Sequence, residues 1–324
     1  MNNNFEFKPW GELEWLFSKT VKSNFDLIAS LSPEDRCTST FEICRSAKRI
    51  KSALFLEIID PIDTKGHNSL RIKNKNKISG NIDVSFSTHK LLEPISGLIR
   101  IVNNFIDNSD GNIIVDISTF PKRFFFLIIK SLLKSSKVKT LFVTCSTPKK
   151  YSSGNLSDNP NSWTHIPTFV PDDPDLRFDL AIIGIGFMPL GLPQLLKDKY
   201  SQLTTKYLFP FPPGPPTYQR TWEFVNLMHS STRLEGKQIY RVDSLNLPEI
   251  FETIVSLTQA GEKSTLLAPY GPKTMSLAMC LYACFTNSAV YYTQPTYYAP
   301  DYSSGFSNCY GYIIKSNDTL FYSV

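Results

Sequence analysis

Two stretches set a proline and a lysine between an apolar, strand-like run and a helix-like run: Asp116-Ile-Ser-Thr-Phe-Pro-Lys-Arg123 and Tyr270-Gly-Pro-Lys-Thr274. The first turn of a helix carries unpaired N–H groups and a partial positive charge, so acids are the favourable residues there. A lysine at that place adds like charge, and an anion bound at the helix end would offset it. Phosphate and carboxylate groups bind helix amino termini for the same reason. In this reading Lys122, Arg123 and Lys273 supply charge, and Ser118, Thr119 and Thr274 supply hydroxyls that cap a helix or donate to an anionic oxygen. Pro121 suits a helix start, where its missing N–H costs nothing. Gly271 would let backbone approach a ligand closely.

Asp116 ends its run at the same edge, where it could accept from a hydroxyl, serve as a base or hold Lys122 or Arg123. A third turn of this kind is Ser30-Leu-Ser-Pro-Glu-Asp-Arg36. Glu34 and Asp35 are ordinary dipole-complementing acids for a first helical turn, whereas Ser32 and Arg36 are read as joining the pocket. Tyr151, Tyr297, Tyr298 and Tyr302 follow the next strands, placed to stack on a base or to cover the sheet.

Other chemistries find no footing. Gly184-Ile-Gly186-Phe-Met-Pro-Leu-Gly191 lacks the dinucleotide-binding spacing. The histidines at 67, 89, 165 and 229 have no metal spacing, and the six cysteines form no C-x-x-C pair. No metal and no cofactor are expected. Carboxylates are present, but no pair is set for acid–base work.

Apolar, β-branched runs at Asp26–Leu31, Ala53–Ile59, Asn112–Asp116, Thr140–Thr144 and Asp179–Gly184 alternate with helical patterns at 38–46, 91–107, 121–134 and 192–201. Such alternation predicts an α/β fold with largely parallel sheets. Tyr207–Tyr218 holds five prolines, which disfavour a helix and a central strand, and is read as a stiff connector. A helix at 217–229, a strand at Gln238–Val242, a helix at 247–260 and a strand at Ala289–Thr293 follow. Strand, Pro-Lys, helix, strand, Thr and Pro-x-x-Tyr recur in the same order around Pro121 and Pro272. The pattern predicts two Rossmann-like halves, 1–205 and 206–324, related by an internal duplication.

The 324 residues suffice for a sizeable core, and 42% apolar with 13% aromatic content argues against disorder. A net charge of +5 falls short of a dedicated nucleic-acid binder. The densest basic run, Arg71–Lys77, is studded with asparagine and reads as a solvated loop, with a nucleic-acid phosphate contact as the weaker alternative. Cysteines inside apolar runs, an amino terminus unlike a signal peptide and no run of about 18 apolar residues predict a cytoplasmic protein with no membrane contact.

Asp116-Ile-Ser118-Thr119-Phe-Pro-Lys122 resembles the strand-end motif of CRISPR-associated Rossmann fold (CARF) domains and of the two-copy SAVED domains. Gly271-Pro-Lys273-Thr-Met275 is similar to the Gly-x-Lys-x-Met part of that motif, while Phe120 and Pro121 stand where those families have small residues. The resemblance implies a cyclic oligonucleotide or other nucleotide ligand over the strand ends, a place in bacterial antiviral defence and an effector on a separate chain. Three functions share this fold: a sensor of a phosphorylated ligand, a nucleotide- or NAD-processing hydrolase or transferase, and a non-catalytic subunit of a complex. The sensor leads, for want of a paired catalytic constellation.

Overall fold

The computed structural model describes residues 7–19, 23–78, 82–154, 156–160, 162–173, 175–192, 196, 203–211, 218–232 and 235–324. The chain divides into two units: unit 1 is Met1–Tyr151 with Ala299–Ser323, and unit 2 is Ser152–Tyr298 with Val324. Unit 1 begins with β1 (Trp10–Glu12), α1 (Leu13–Lys19), β2 (Phe25–Leu31), α2 (Ser39–Ser46), β3 (Ile50–Ile59) and α3 (Lys65–Lys77). It continues with β4 (Asp83–Lys90), α4 (Ser96–Asp107), β5 (Asn112–Asp116), α5 (Lys122–Lys134) and β6 (Thr140–Tyr151). Unit 2 holds β7 (Ser157–Pro160), β8 (Thr164–His165), β9 (Leu180–Gly184), β10 (Thr204–Phe211), α6 (Tyr218–Thr232), β11 (Ile239–Asp243) and α7 (Leu247–Leu257). It ends with β12 (Thr265–Pro269), α8 (Lys273–Phe285), β13 (Ala289–Tyr292) and β14 (Pro295–Tyr298), before β15 (Ser303–Ser316) and β16 (Thr319–Leu320) rejoin unit 1.

The unit 1 sheet runs β1-β15-β6-β5-β2-β3-β4 and the unit 2 sheet β11-β10-β9-β12-β13-β8. In unit 1 the strands from β6 to β4 are parallel, and β15 lies antiparallel on β6. In unit 2 the strands from β11 to β13 are parallel, with β8 antiparallel on β13. Numbered by chain order within each unit, the five parallel strands lie 3-2-1-4-5 in both. This is the Rossmann-like order, and its switch point falls between the first and fourth strands: β2 and β5 in unit 1, β9 and β12 in unit 2.

The central strands β2, β9 and β12 are buried at every position, as strands covered on both faces must be. Phe25, Phe41, Phe55 and Phe142 build one core in unit 1, while Ile183, Tyr207, Phe224 and Leu266 build one in unit 2. Among the described residues no helix is long and apolar enough to cross a membrane.

The division between halves differs from the expected 205/206 boundary. β9 precedes that boundary in sequence yet pairs with β10 and β12, and β15 follows it yet pairs with β6. The proline-rich stretch is also not wholly a connector, since Tyr207–Phe211 forms part of β10, between β9 and β11. Pairing with β9 ends at Leu208, so the missing N–H of Pro210 is not needed on that side, and Pro210 is paired only with Val242 of β11. The remaining residues of that stretch up to 217, and most of the helix expected at 192–201, lie outside the described residues.

The basic run Arg71–Lys77 is helical, not a loop. Thr64 caps α3 in a capping box with His67, and Arg71, Asn74 and His67 are buried. These three recur at i, i+4 and i+7, a helical face carried by polar residues, which a search for apolar periodicity passes over.

Candidate functional site

In unit 1 the switch point brings the turn after β2 (Ser32–Arg36) next to the turn after β5 (Ile117–Pro121), with Thr119 Oγ1 donating to Ser30 O at 3.5 Å. Asp116 is buried, and its Oδ1 accepts from the Ser118 N–H at 2.9 Å and from the Ser118 hydroxyl. Burial raises the Asp116 pKa, against the hydrogen bonds from Ser118. Asp116 therefore shapes its own turn, an Asx-type role, while Arg123 is held elsewhere.

The Ser118 hydroxyl accepts from the Ser146 N–H at 2.8 Å, and Pro121, the N-cap of α5, has no side-chain cap bond. Ser146 O accepts from Arg36 at 3.2 Å, and Ser146 Oγ meets Ser39 Oγ at 2.5 Å. Arg36, Ser39 and Ser118 thus converge on Ser146, a residue the sequence reading did not single out. Its signal was period 2, since it shares a strand face with Thr144, whose hydroxyl meets Thr40 Oγ1 at 2.9 Å.

Arg36, read from the sequence as joining the pocket, is held in a buried ion pair. Its Nε donates to Glu34 Oε2 at 3.0 Å, and Nη2 lies 2.9 Å from the same oxygen. Glu34 in turn accepts from Ser303 Oγ at 2.5 Å. Lys122 opens α5 and is buried. Arg123 goes elsewhere: its guanidinium donates to Glu93 O at 3.0 Å, lining a hollow with Pro94, Ile95 and Leu98. Burial lowers the Arg123 pKa.

Unit 2 repeats the arrangement around β12. Pro272 is the N-cap of α8 with no side-chain cap bond, Lys273 is the first helical residue, and Thr274 is buried. Gly271 answers to internal packing: a Cβ there would lie 2.4 Å from Met275 Sδ and 3.2 Å from Ile185 O. The Tyr270 hydroxyl donates to Thr293 Oγ1 at 3.0 Å, joining the ends of β12 and β13. Tyr151 and Tyr302 meet edge-on with ring centroids 5.8 Å apart, and Tyr297 and Tyr298 lie in β14, paired with β7. Among the described residues no group of His, Cys, Asp and Glu could hold a metal ion.

A second polar cluster lies where β3 ends. Arg71 is held by both Asp63 oxygens, at 2.9 and 2.6 Å, and its Nε lies 3.1 Å from Glu57 Oε1. Asn74 Nδ2 reaches across to the carbonyls of Ser32, Pro33 and Glu34 at 2.9, 3.2 and 3.2 Å, so α3 clamps the turn after β2. Burial, with Asp63 beside it, pushes the Asp60 pKa up to about 7. A carboxyl raised in the folded state gives stability that is full below its unfolded pKa and lost as pH rises through the folded value. Asp60→Asn is accordingly expected to be neutral near pH 4 and to stabilise at pH 8 by on the order of 1–2 kcal/mol. Thermal unfolding at the two pH values checks this; equal effects at both would refute it.

No family model matches the sequence, and no curated protein matches it. Solved structures similar to this chain include a type III CRISPR defence DNA nuclease activated by cyclic oligoadenylate. It is 7% identical, with 88% of this chain and 68% of that one covered at a TM-score of 0.49. A universal stress protein from Archaeoglobus fulgidus DSM 4304 is 10% identical, covering 84% of this chain and 97% of its own at a TM-score of 0.24. The cytoplasmic domain of a prokaryotic cation chloride cotransporter is 12% identical, covering 85% and 96% at 0.25. At such identities and TM-scores these likenesses carry no argument, and function has to be argued from this chain's own residues.

Proposed function

We propose that this protein is a sensor that binds a phosphorylated, nucleotide-type anion at the strand ends of its Rossmann-like units and signals to a separate partner. One observation carries the reading. In each unit the fourth strand of a 3-2-1-4-5 sheet leads at the switch point into a 13-residue helix with proline as N-cap, lysine as first residue, no side-chain cap and no acid in the first turn. A cationic side chain and a helix amino terminus coincide there twice, where ligands of such sheets bind. The resemblance to CARF and SAVED domains points the same way, towards a nucleotide ligand and a setting in antiviral defence.

The hydrolase or transferase reading is weaker, because Asp116, its obvious acid or base, is buried and bound to Ser118. The test is mass spectrometry of small molecules released from the purified protein, with Lys122→Ala, Lys273→Ala as control. A phosphorylated compound present in the wild type and lost from the variant is the expected result. No such compound, together with an unchanged melting temperature on adding nucleotides, would favour the non-catalytic subunit.

A further inference from the structure

The chain leaves unit 1 at Tyr151, the end of β6, and returns at Ala299, shortly before β15. Three consecutive residues of the turn after β2 hold both of these strands. Glu34 Oε2 accepts from Ser303 Oγ at 2.5 Å, and the Gly305 backbone N–H lies near enough to Asp35 to favour its ionised form. Arg36 donates to Ser146 O at 3.2 Å and lies beside Tyr151, whose ring meets Tyr302. In the sheet β2 is separated from β6 by β5, and from β15 by both, so the turn reaches past its neighbour to make these bonds.

The two outgoing segments are gripped again inside unit 2. Arg220 donates to the carbonyls of Ser152, Ser153 and Gly154 at 3.1, 2.9 and 2.7 Å. A few residues on, β7 and β14 pair antiparallel from Ser157↔Tyr298 to Pro160↔Pro295.

We propose that Glu34, Asp35 and Arg36 form a relay that couples the switch-point crevice of unit 1 to the two chain crossings into unit 2. The relay's use rests on the anion-binding reading above. A buried guanidinium needs a counter-charge, and here Glu34 supplies it while also holding Ser303. An anion in the crevice that draws on Arg36 competes with Glu34 and so changes what Glu34 and Arg36 offer to β15 and β6. That exchange of partners is the difference in binding free energy between two states that a ligand-driven shift requires.

The relay can be tested with no ligand present, by hydrogen–deuterium exchange of the full chain in wild type, Glu34→Gln and Ser303→Ala. Glu34→Gln removes the counter-charge, and Ser303→Ala removes a single hydroxyl and keeps the test available if the first variant folds poorly. Coupling is expected to speed exchange several-fold at 32–38 and 299–305, and also in the β7–β14 ladder at 157–160 and 295–298. Wild-type protection of that ladder in Ser303→Ala would overturn the relay, whatever happens in the turn. Such a result would leave the small-molecule experiment standing, and an empty result there would not change the exchange pattern.

Discussion

Arg36→Ala is expected to lower the stability of unit 1 by about 3–5 kcal/mol, the cost of breaking a buried ion pair by removing one member. The side chains of Arg36 and Glu34 are 6% and 13% exposed, so water screens the pair little. With Arg36 gone, the Glu34 carboxylate keeps, among the described residues, the Ser303 hydroxyl as its short contact, and Ser146 O loses a charged donor. Part of the cost is the stranded carboxylate, so Glu34→Gln combined with Arg36→Met should recover more than half of it. Urea unfolding, with exchange of unit 1 peptides to assign the transition, measures both variants. A loss under about 1 kcal/mol for the single change would mean that the pair behaves as an exposed one.

Gly186→Ala is expected to cost about 3 kcal/mol or more in unit 2. A Cβ at Gly186 would lie 2.0 Å from Tyr270 O and 2.8 Å from its carbonyl carbon. Those atoms are backbone, so relief requires parting the ends of β9 and β12, whose pairing runs to Gly184↔Pro269. This is the unit 2 switch point, so the same variant should also disturb the Lys273 turn. Gly97, near the start of α4, meets nothing within 4 Å, and Gly97→Ala should instead stabilise by about 0.5 kcal/mol. Thermal unfolding of the two variants side by side gives opposite signs if close backbone approach is the reason for Gly186, and a harmless Gly186→Ala would remove that reason.

The Gly184-x-Gly186 stretch also shows what kind of information the sequence carried. Its spacing does not fit a dinucleotide fingerprint; the structure gives the glycines a different use, close approach of β9's end to the segment after β12. Likewise the sequence suggests a ligand near Gly271, while its missing Cβ makes room for Met275 and Ile185 O. A glycine signals that something comes near, and its sequence position does not say what. The polar side of the site was less legible. Ser146 lies 110 residues from Arg36, and Ser303 269 residues from Glu34, and no local pattern links residues so far apart.

The sequence by itself determined the α/β class, most of the buried strands, the two Pro-Lys turns and their repetition. Those are properties of contiguous residues: an apolar β-branched run, a proline that starts a helix, a period of two or of 3.6. The strands expected at Asn112–Asp116 and Asp179–Gly184 appear within one residue as β5 and β9. Tertiary structure alone decided which sheet each strand joins, and so moved β9 into unit 2 and returned β15 to unit 1. It also made Arg36, read as part of the pocket, one member of a buried pair, and made a helix with a polar buried face of Arg71–Lys77. The reason is common to all four. Strand partners, counter-charges and burial are set by which distant segments the sheet topology brings together, and hydrophobic patterning records that a face is buried without recording against what.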